Sequence, residues 1–156
     1  MSIGIVYALT GAAIAVAISG LSSAMGISYV GQASSGAMAE SPKNFGRFLV
    51  LLALPGTQGI YGFVIGFLIL QKIGIIAGTL AAITPAQGLS LLLAGIPVGI
   101  GGITAIYQGK VCTSGVGLTV KRPEDSGKAL VMAVFVEFYA VLGLLISIFM
   151  LFGVKV

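Results

Sequence analysis

The sequence has no histidine, no tryptophan and one cysteine, and among its 156 residues only eight are Lys or Arg and four Asp or Glu. Each scarcity excludes something. Without His, and with Cys112 alone, there is no disulfide framework, no metal–thiolate set and no histidine-ligated centre. A bound metal is therefore expected to be a hard cation taking oxygen ligands. Charged residues make up 8% of the chain, against about 25% in a soluble domain, so the chain cannot cover a water-facing surface. The net charge of +4 is scattered, without the basic cluster or aromatic platform that nucleic-acid binding needs. No Gly-x-x-x-x-Gly-Lys-Ser/Thr motif for ATP is present.

What is there is apolar: 58% of the residues are hydrophobic. At about 20 residues per span, the chain holds four membrane helices and short loops, with no room for a soluble domain. The expected fold is an all-α membrane protein. Helix 1 is expected from about Ile3 to Ala37, too long for a signal-peptide core and so retained. Helix 2 is expected from about Arg47 to Ile75, interrupted chemically at Pro55-Gly56. Helix 3 runs from about Leu89 to Leu118, and helix 4 takes the chain to its end. Helices 1 and 3 are thin, rich in Gly, Ala and Ser. That suits ordinary close packing, and equally suits the inner wall of a narrow ring of copies whose bulkier helices 2 and 4 face lipid.

The halves repeat. A shift of 81 positions without a gap lays Gly20 on Gly101, Gly36 on Gly117, Pro42 on Pro123, Arg47 on Lys128 and Gly62 on Gly143. The chain reads as two tandem helical hairpins, 1–78 and 79–156, in one shared orientation, which argues against an inverted-repeat transporter. Lys43 and Arg47 mark the first turn, and Lys121, Arg122 and Lys128 the second, against only Lys72 and Lys155 at the other end. Both turns are expected to be cytoplasmic and both termini outside.

The same shift lays Gly56 on Glu137, the one charged residue in the apolar run Ala129–Leu151 of helix 4. A carboxylate at bilayer depth costs roughly 2.5 kcal/mol or more, so it marks a functional site by default. Counted from the basic turns at 1.5 Å per residue, Glu137 lies roughly 14 Å deep, Gln58 roughly 17 Å and Gln108 roughly 20 Å, so one site has room for all three. Thr57 and Tyr61 share a helix face at i, i+4. Pro55 lacks an N–H and frees a carbonyl one turn earlier. Taken singly, Thr57, Gln58 and Gln108 are equally explained by interhelical hydrogen bonding; the carboxylate at matching depth tips the reading towards a shared site. Lys110 is the one nearby cation. Two residues from Gln108, it stands about 200° round the helix, so it points away if Gln108 faces Glu137, and is expected to snorkel to the cytoplasmic interface. Glu137 then holds either a proton or a cation. A proton needs only an acceptor for its hydrogen bond, whereas the surplus of oxygens favours Na⁺ over H⁺, and one formal charge does not balance Ca²⁺.

A duplicated four-helix proteolipid with its carboxylate only in helix 4 resembles a known family. Leu54-Pro-Gly-Thr-Gln-Gly-Ile-Tyr-Gly-Phe63, Tyr107-Gln-Gly-Lys110 and Val136-Glu-Phe-Tyr-Ala140 are similar to the rotor-ring proteolipids, subunit K, of bacterial V-type ATPases, and most to their sodium-translocating branch. The resemblance covers essentially the whole chain. It implies an ion held by Glu137, Thr57, Gln58, Gln108 and the backbone carbonyl of Leu54, with Tyr61 hydrogen-bonded to Glu137. It further implies a homo-oligomeric ring among the lipids of the bacterial plasma membrane. A central stalk would dock on the cytoplasmic turns, and a stator subunit with half-channels would pass ions to and from Glu137. The chain itself is then a non-catalytic part of an ATP-driven rotary pump. The competing readings are the same ring carrying H⁺ and, from another class, a small autonomous cation transporter or channel.

Overall fold

The computed structural model describes residues 2–156 and is helical throughout its ordered elements. Helix α1 runs Ile3–Glu40, opened by Ser2, whose hydroxyl accepts from the Ile5 N–H. It outlasts the expected Ala37 because only Pro42, which cannot continue a helix, stops it. A 3-10 turn at Pro42–Asn44 leads into α2, Phe45–Ala53. A second 3-10 turn, Leu54–Gly56, separates α2 from α3, Thr57–Lys72. Pro55-Gly56 thus tightens the backbone locally without turning the chain aside. The loop that follows bends through Gly74 and Gly78, both at positive φ (78° and 70°), a conformation glycine adopts without steric cost.

Helix α4, Pro85–Gly102, starts earlier than the expected Leu89. Thr84 and Gln87 form a capping box and Pro85 occupies the first turn, a start signal legible in Thr-Pro-Ala-Gln. The third span is also broken, which its residues did not lead one to expect. After Gly101-Gly102 the Ile103 N–H bonds the Ile100 carbonyl, a 3-10 step, and α5 resumes at Thr104–Lys121. The 3-10 turn Pro123–Asp125 and helix α6, Ser126–Gly153, complete the chain. Four helical stretches are long and apolar enough to cross a membrane: Ile3–Glu40, Pro42–Lys72, Pro85–Lys121 and Pro123–Gly153.

Helix α1 is central, packed on α3, α4 and α5, while α6 lies against α4 and α5. The close approach of α1 to the third span depends on paired glycines. A Cβ on Gly88 or Gly95 would run into the backbone of Gly4 or Gly11, and one on Gly109 would sit 2.5 Å from the Gly26 carbonyl. Glycines at such contacts let helix backbones touch. The large side chains Phe63, Phe67, Phe135, Phe138, Tyr139, Phe149 and Phe152 are exposed on α3 and α6, as expected of helices facing lipid.

Candidate ion-binding site

Glu137 sits on an unbroken stretch of α6, whose small buried neighbours Ala133 and Ala140 leave room for it to reach inward. It is 9% exposed. Its Oε1 accepts hydrogen bonds from Thr57 Oγ1 at 2.7 Å and Tyr61 Oη at 2.6 Å. Its Oε2 accepts from Gln108 Nε2 at 2.7 Å and Gln58 Nε2 at 3.3 Å. The residues singled out in the sequence therefore meet at one carboxylate, drawn from α3, α5 and α6. Gln58 and Gln108 are fully buried and joined to each other, Gln58 Nε2 donating to Gln108 Oε1 at 2.7 Å.

The helix break shapes the rest. The 3-10 turn directs the Leu54 carbonyl at the Thr57 N–H, and the same carbonyl lies 2.9 Å from Thr57 Oγ1. Gln58 Oε1 is 3.2 Å from that hydroxyl. Thr57 thus faces three oxygens, those of Glu137, Leu54 and Gln58, with one hydrogen to give. Whichever oxygen it serves, the other two meet it lone pair to lone pair. This side of the carboxylate has more acceptors than donors, the chemistry of a site that takes a positive ion among oxygens.

Gln108 meets the carboxylate through its amide nitrogen. It turns its nitrogen to Glu137 and to the Ala133 carbonyl, 3.1 Å away, so it supports the carboxylate as a donor. Lys110 points away from the site as its spacing required, exposed on α5. Its ammonium leans over the Tyr107 ring, 5.6 Å from the centroid, a cation–π distance. It therefore lies towards the N-terminal end of α5, not snorkelled towards the Lys121 turn, because helical side chains tilt that way. Among the described residues the only ion pairs join Asp125 to Arg122 and Lys128; none reaches Glu137.

Three supporting contacts were not anticipated. Ser23 on α1 accepts the Gly59 N–H at 2.7 Å, just past the break. Farther along the membrane, Ser19 donates to the Val98 carbonyl and Ser147 accepts the Val98 N–H, beside Pro97. A run of buried serines on a thin helix was the available signal, since an apolar neighbourhood forces each hydroxyl to find a partner.

A duplicated helical hairpin with one buried carboxylate defines a membrane proteolipid of the ion-carrying kind. A family model for the ATP synthase C subunit matches twice, over residues 10–69 and 92–150, and the chain belongs to that family, whose hairpins form rings. It is similar to the V-type sodium ATPase subunit K of Enterococcus hirae, 40% identical over 145 residues, which cover 92% of this chain and 89% of that one. It is 37% identical to the A-type ATP synthase subunit K of Methanocaldococcus jannaschii over 150 residues, 96% of this chain but 64% of that relative's length. To the 16 kDa proteolipid of the V-type proton ATPase of Nephrops norvegicus it is 28% identical over 145 residues, 92% of this chain and 89% of that one.

Proposed function

We propose that this chain is the ion-carrying rotor-ring subunit of a V-type ATPase and that its cargo is Na⁺. In this reading Na⁺ is held by Glu137, Thr57, Gln58 and the Leu54 carbonyl. Gln108 completes the set when its amide turns to offer oxygen, and Tyr61 steadies the carboxylate by a hydrogen bond. The observation that carries the reading is the single Thr57 hydroxyl confronted by three acceptor oxygens beside a carboxylate without a cationic partner among the described residues. A proton would satisfy the charge of Glu137 but not the surplus lone pairs; Na⁺ satisfies both. The Enterococcus relative, a sodium ATPase subunit by name, supports the same ion.

The mechanism follows from charge. A Glu137–Na⁺ pair is electroneutral and passes the lipid, whereas bare Glu137 is confined to aqueous half-channels. We infer that a stator subunit supplies those half-channels. A central stalk, docked on the turns at Pro42–Asn44 and Pro123–Asp125, turns the ring with energy from ATP hydrolysed elsewhere, so the chain is not itself the catalyst. The protein is multi-pass in the bacterial plasma membrane, with both turns cytoplasmic and both termini outside, a reading supported by Lys43, Arg47, Lys121, Arg122 and Lys128 near the turns. Residues 1–78 and 79–156 are its two hairpin units.

Carbodiimide labelling of Glu137 in membranes tests the site and the ion together, because the reagent attacks a protonated carboxyl. Protection by Na⁺ and not by K⁺, weakening as the pH falls, is expected. Labelling that follows pH and ignores Na⁺ makes the chain a proton rotor, the ion named for the Nephrops relative. Na⁺ flux through the purified subunit alone in liposomes would support an autonomous transporter instead.

A further inference from the structure

We propose that Ser23, on α1 and outside the ion's ligand set, is a positioning residue for the site. Its hydroxyl caps the broken second span from a neighbouring helix, and the cap keeps the Leu54 carbonyl, Thr57 and Gln58 arranged to receive the ion. This role deepens the Na⁺ reading given above and rests on it.

A helix that restarts inside a membrane has donors to satisfy. The first four N–H groups of a helix lack partners in their own helix, and lipid offers none. The usual remedy is a side chain at the residue before the helix, whose oxygen takes the N–H of the second or third position. Helix α3 restarts at Thr57, so the residue before it is Gly56, which has no side chain and makes no such bond. The third-position N–H belongs to Gly59, and Ser23 Oγ accepts it at 2.7 Å. The two residues fit each other closely, since a Cβ on Gly59 would lie 3.2 Å from both Ser23 Cβ and Ser23 Oγ. Ser23 is buried, so solvent does not compete for the bond.

The bond grips the peptide that joins Gln58 to Gly59, next to one proposed ligand and two residues from another. It also decides what the chain before it does. Without Ser23, the acceptor within reach of the Gly59 N–H is the Pro55 carbonyl, four residues back. Taking that bond carries the α-helix back towards the proline and unwinds the 3-10 turn. The Leu54 carbonyl is held by that turn at the Thr57 N–H, 2.9 Å from the Thr57 hydroxyl. In a continuous helix it would pass to the Gln58 N–H, four residues on, and leave the site.

The second hairpin supplies a contrast. A shift of 81 lays Ser23 on Thr104 and Gly59 on Ala140. Helix α6 is unbroken at Ala140 and leaves no N–H there to cap. Thr104 accordingly turns its hydroxyl to the Gly101 carbonyl of its own span, at 2.7 Å. The cross-helix cap accompanies the hairpin whose second helix is broken.

Ser19 provides the control. It lies one turn from Ser23 on the same face of α1, is fully buried, and donates to the Val98 carbonyl at 3.1 Å, well away from any proposed ligand. Ser23→Ala should raise the Na⁺ concentration for half-maximal protection from carbodiimide about tenfold, the scale of a lost helix cap. The Na⁺ requirement of ATP hydrolysis in the assembled complex should rise equally, with the rate at saturating Na⁺ unchanged. Ser19→Ala should leave both close to wild type. An assembled Ser23→Ala ring with wild-type protection overturns the proposal, as do equal shifts in the two variants or a lower saturating rate at an unchanged Na⁺ requirement. A Ser23→Ala chain that fails to assemble gives Ser23 a general structural role and overturns it too. Wild-type labelling that ignores Na⁺ overturns the Na⁺ reading itself, and the role of Ser23 with it.

Discussion

The two hairpins share one order of spans and turns but break different spans, and they divide the chemistry between them. In the first, Pro55-Gly56 interrupts the membrane helix, and the interruption yields a directed Leu54 carbonyl beside Thr57, Gln58 and Tyr61. In the second, the corresponding stretch of α6 is unbroken and carries Glu137 where the first half has Gly56. Neither half holds a site alone. A broken helix offers neutral oxygens but no charge, and a continuous helix offers a carboxylate but keeps its backbone carbonyls in intrahelical bonds. Duplication allowed each half to specialise, with the site assembled where they meet.

Removing the charge should break this division most completely. Glu137→Gln is expected to abolish Na⁺-stimulated ATP hydrolysis in the assembled complex and Na⁺-protectable carbodiimide labelling in the ring; undiminished hydrolysis would refute the proposed role. Moving the charge tests whether the halves are interchangeable. Glu137→Gly combined with Gly56→Glu should not restore Na⁺-stimulated hydrolysis, because the side chain that faces position 56 is the apolar Ile27 and not a set of oxygens; recovery would show that a carboxylate in either hairpin suffices.

Smaller changes sharpen the contrast. Thr57→Val removes the hydroxyl at nearly constant volume. At roughly 1.5–3 kcal/mol for a hydrogen bond to a charged group, it should raise the Na⁺ concentration for half-maximal protection roughly ten- to hundredfold. Tyr61→Phe removes a bond that orients the carboxylate without supplying a ligand, and should raise that concentration by less than Thr57→Val does. Lys110→Ala should change it least, within about twofold, because the side chain lies over Tyr107 and makes no ion pair with Glu137. A larger effect would mean that this cation balances the site.

Much of this was legible in the residues. Hydropathy gave four spans because lipid admits only backbones that satisfy their own hydrogen bonds, and the proline-marked turns gave the repeat. The rarity of charge made Glu137 conspicuous, and matching depths brought Gln58 and Gln108 to it. The break at Gly102–Thr104 was not legible, since Gly-Gly pairs are common in thin helices and nothing local marks a 3-10 step. Nor was the orientation of the Gln108 amide, which depends on having Gln58, Glu137 and the Ala133 carbonyl around it at once. Nothing in the sequence marked Ser23 or Ser147 as an acceptor, because the backbone N–H groups they accept from, Gly59 and Val98, are brought to them only by the fold.

By itself the sequence determined the membrane class, the number of spans, the duplication and the identity of the buried carboxylate. These follow from composition, period and register, which are properties of a line. The tertiary structure alone decided which oxygens surround Thr57, which nitrogens hold Glu137 and which way Lys110 leans. Those depend on angles of rotation about four helices, and the angles are fixed only when glycines such as Gly26 and Gly109 bring the backbones into contact.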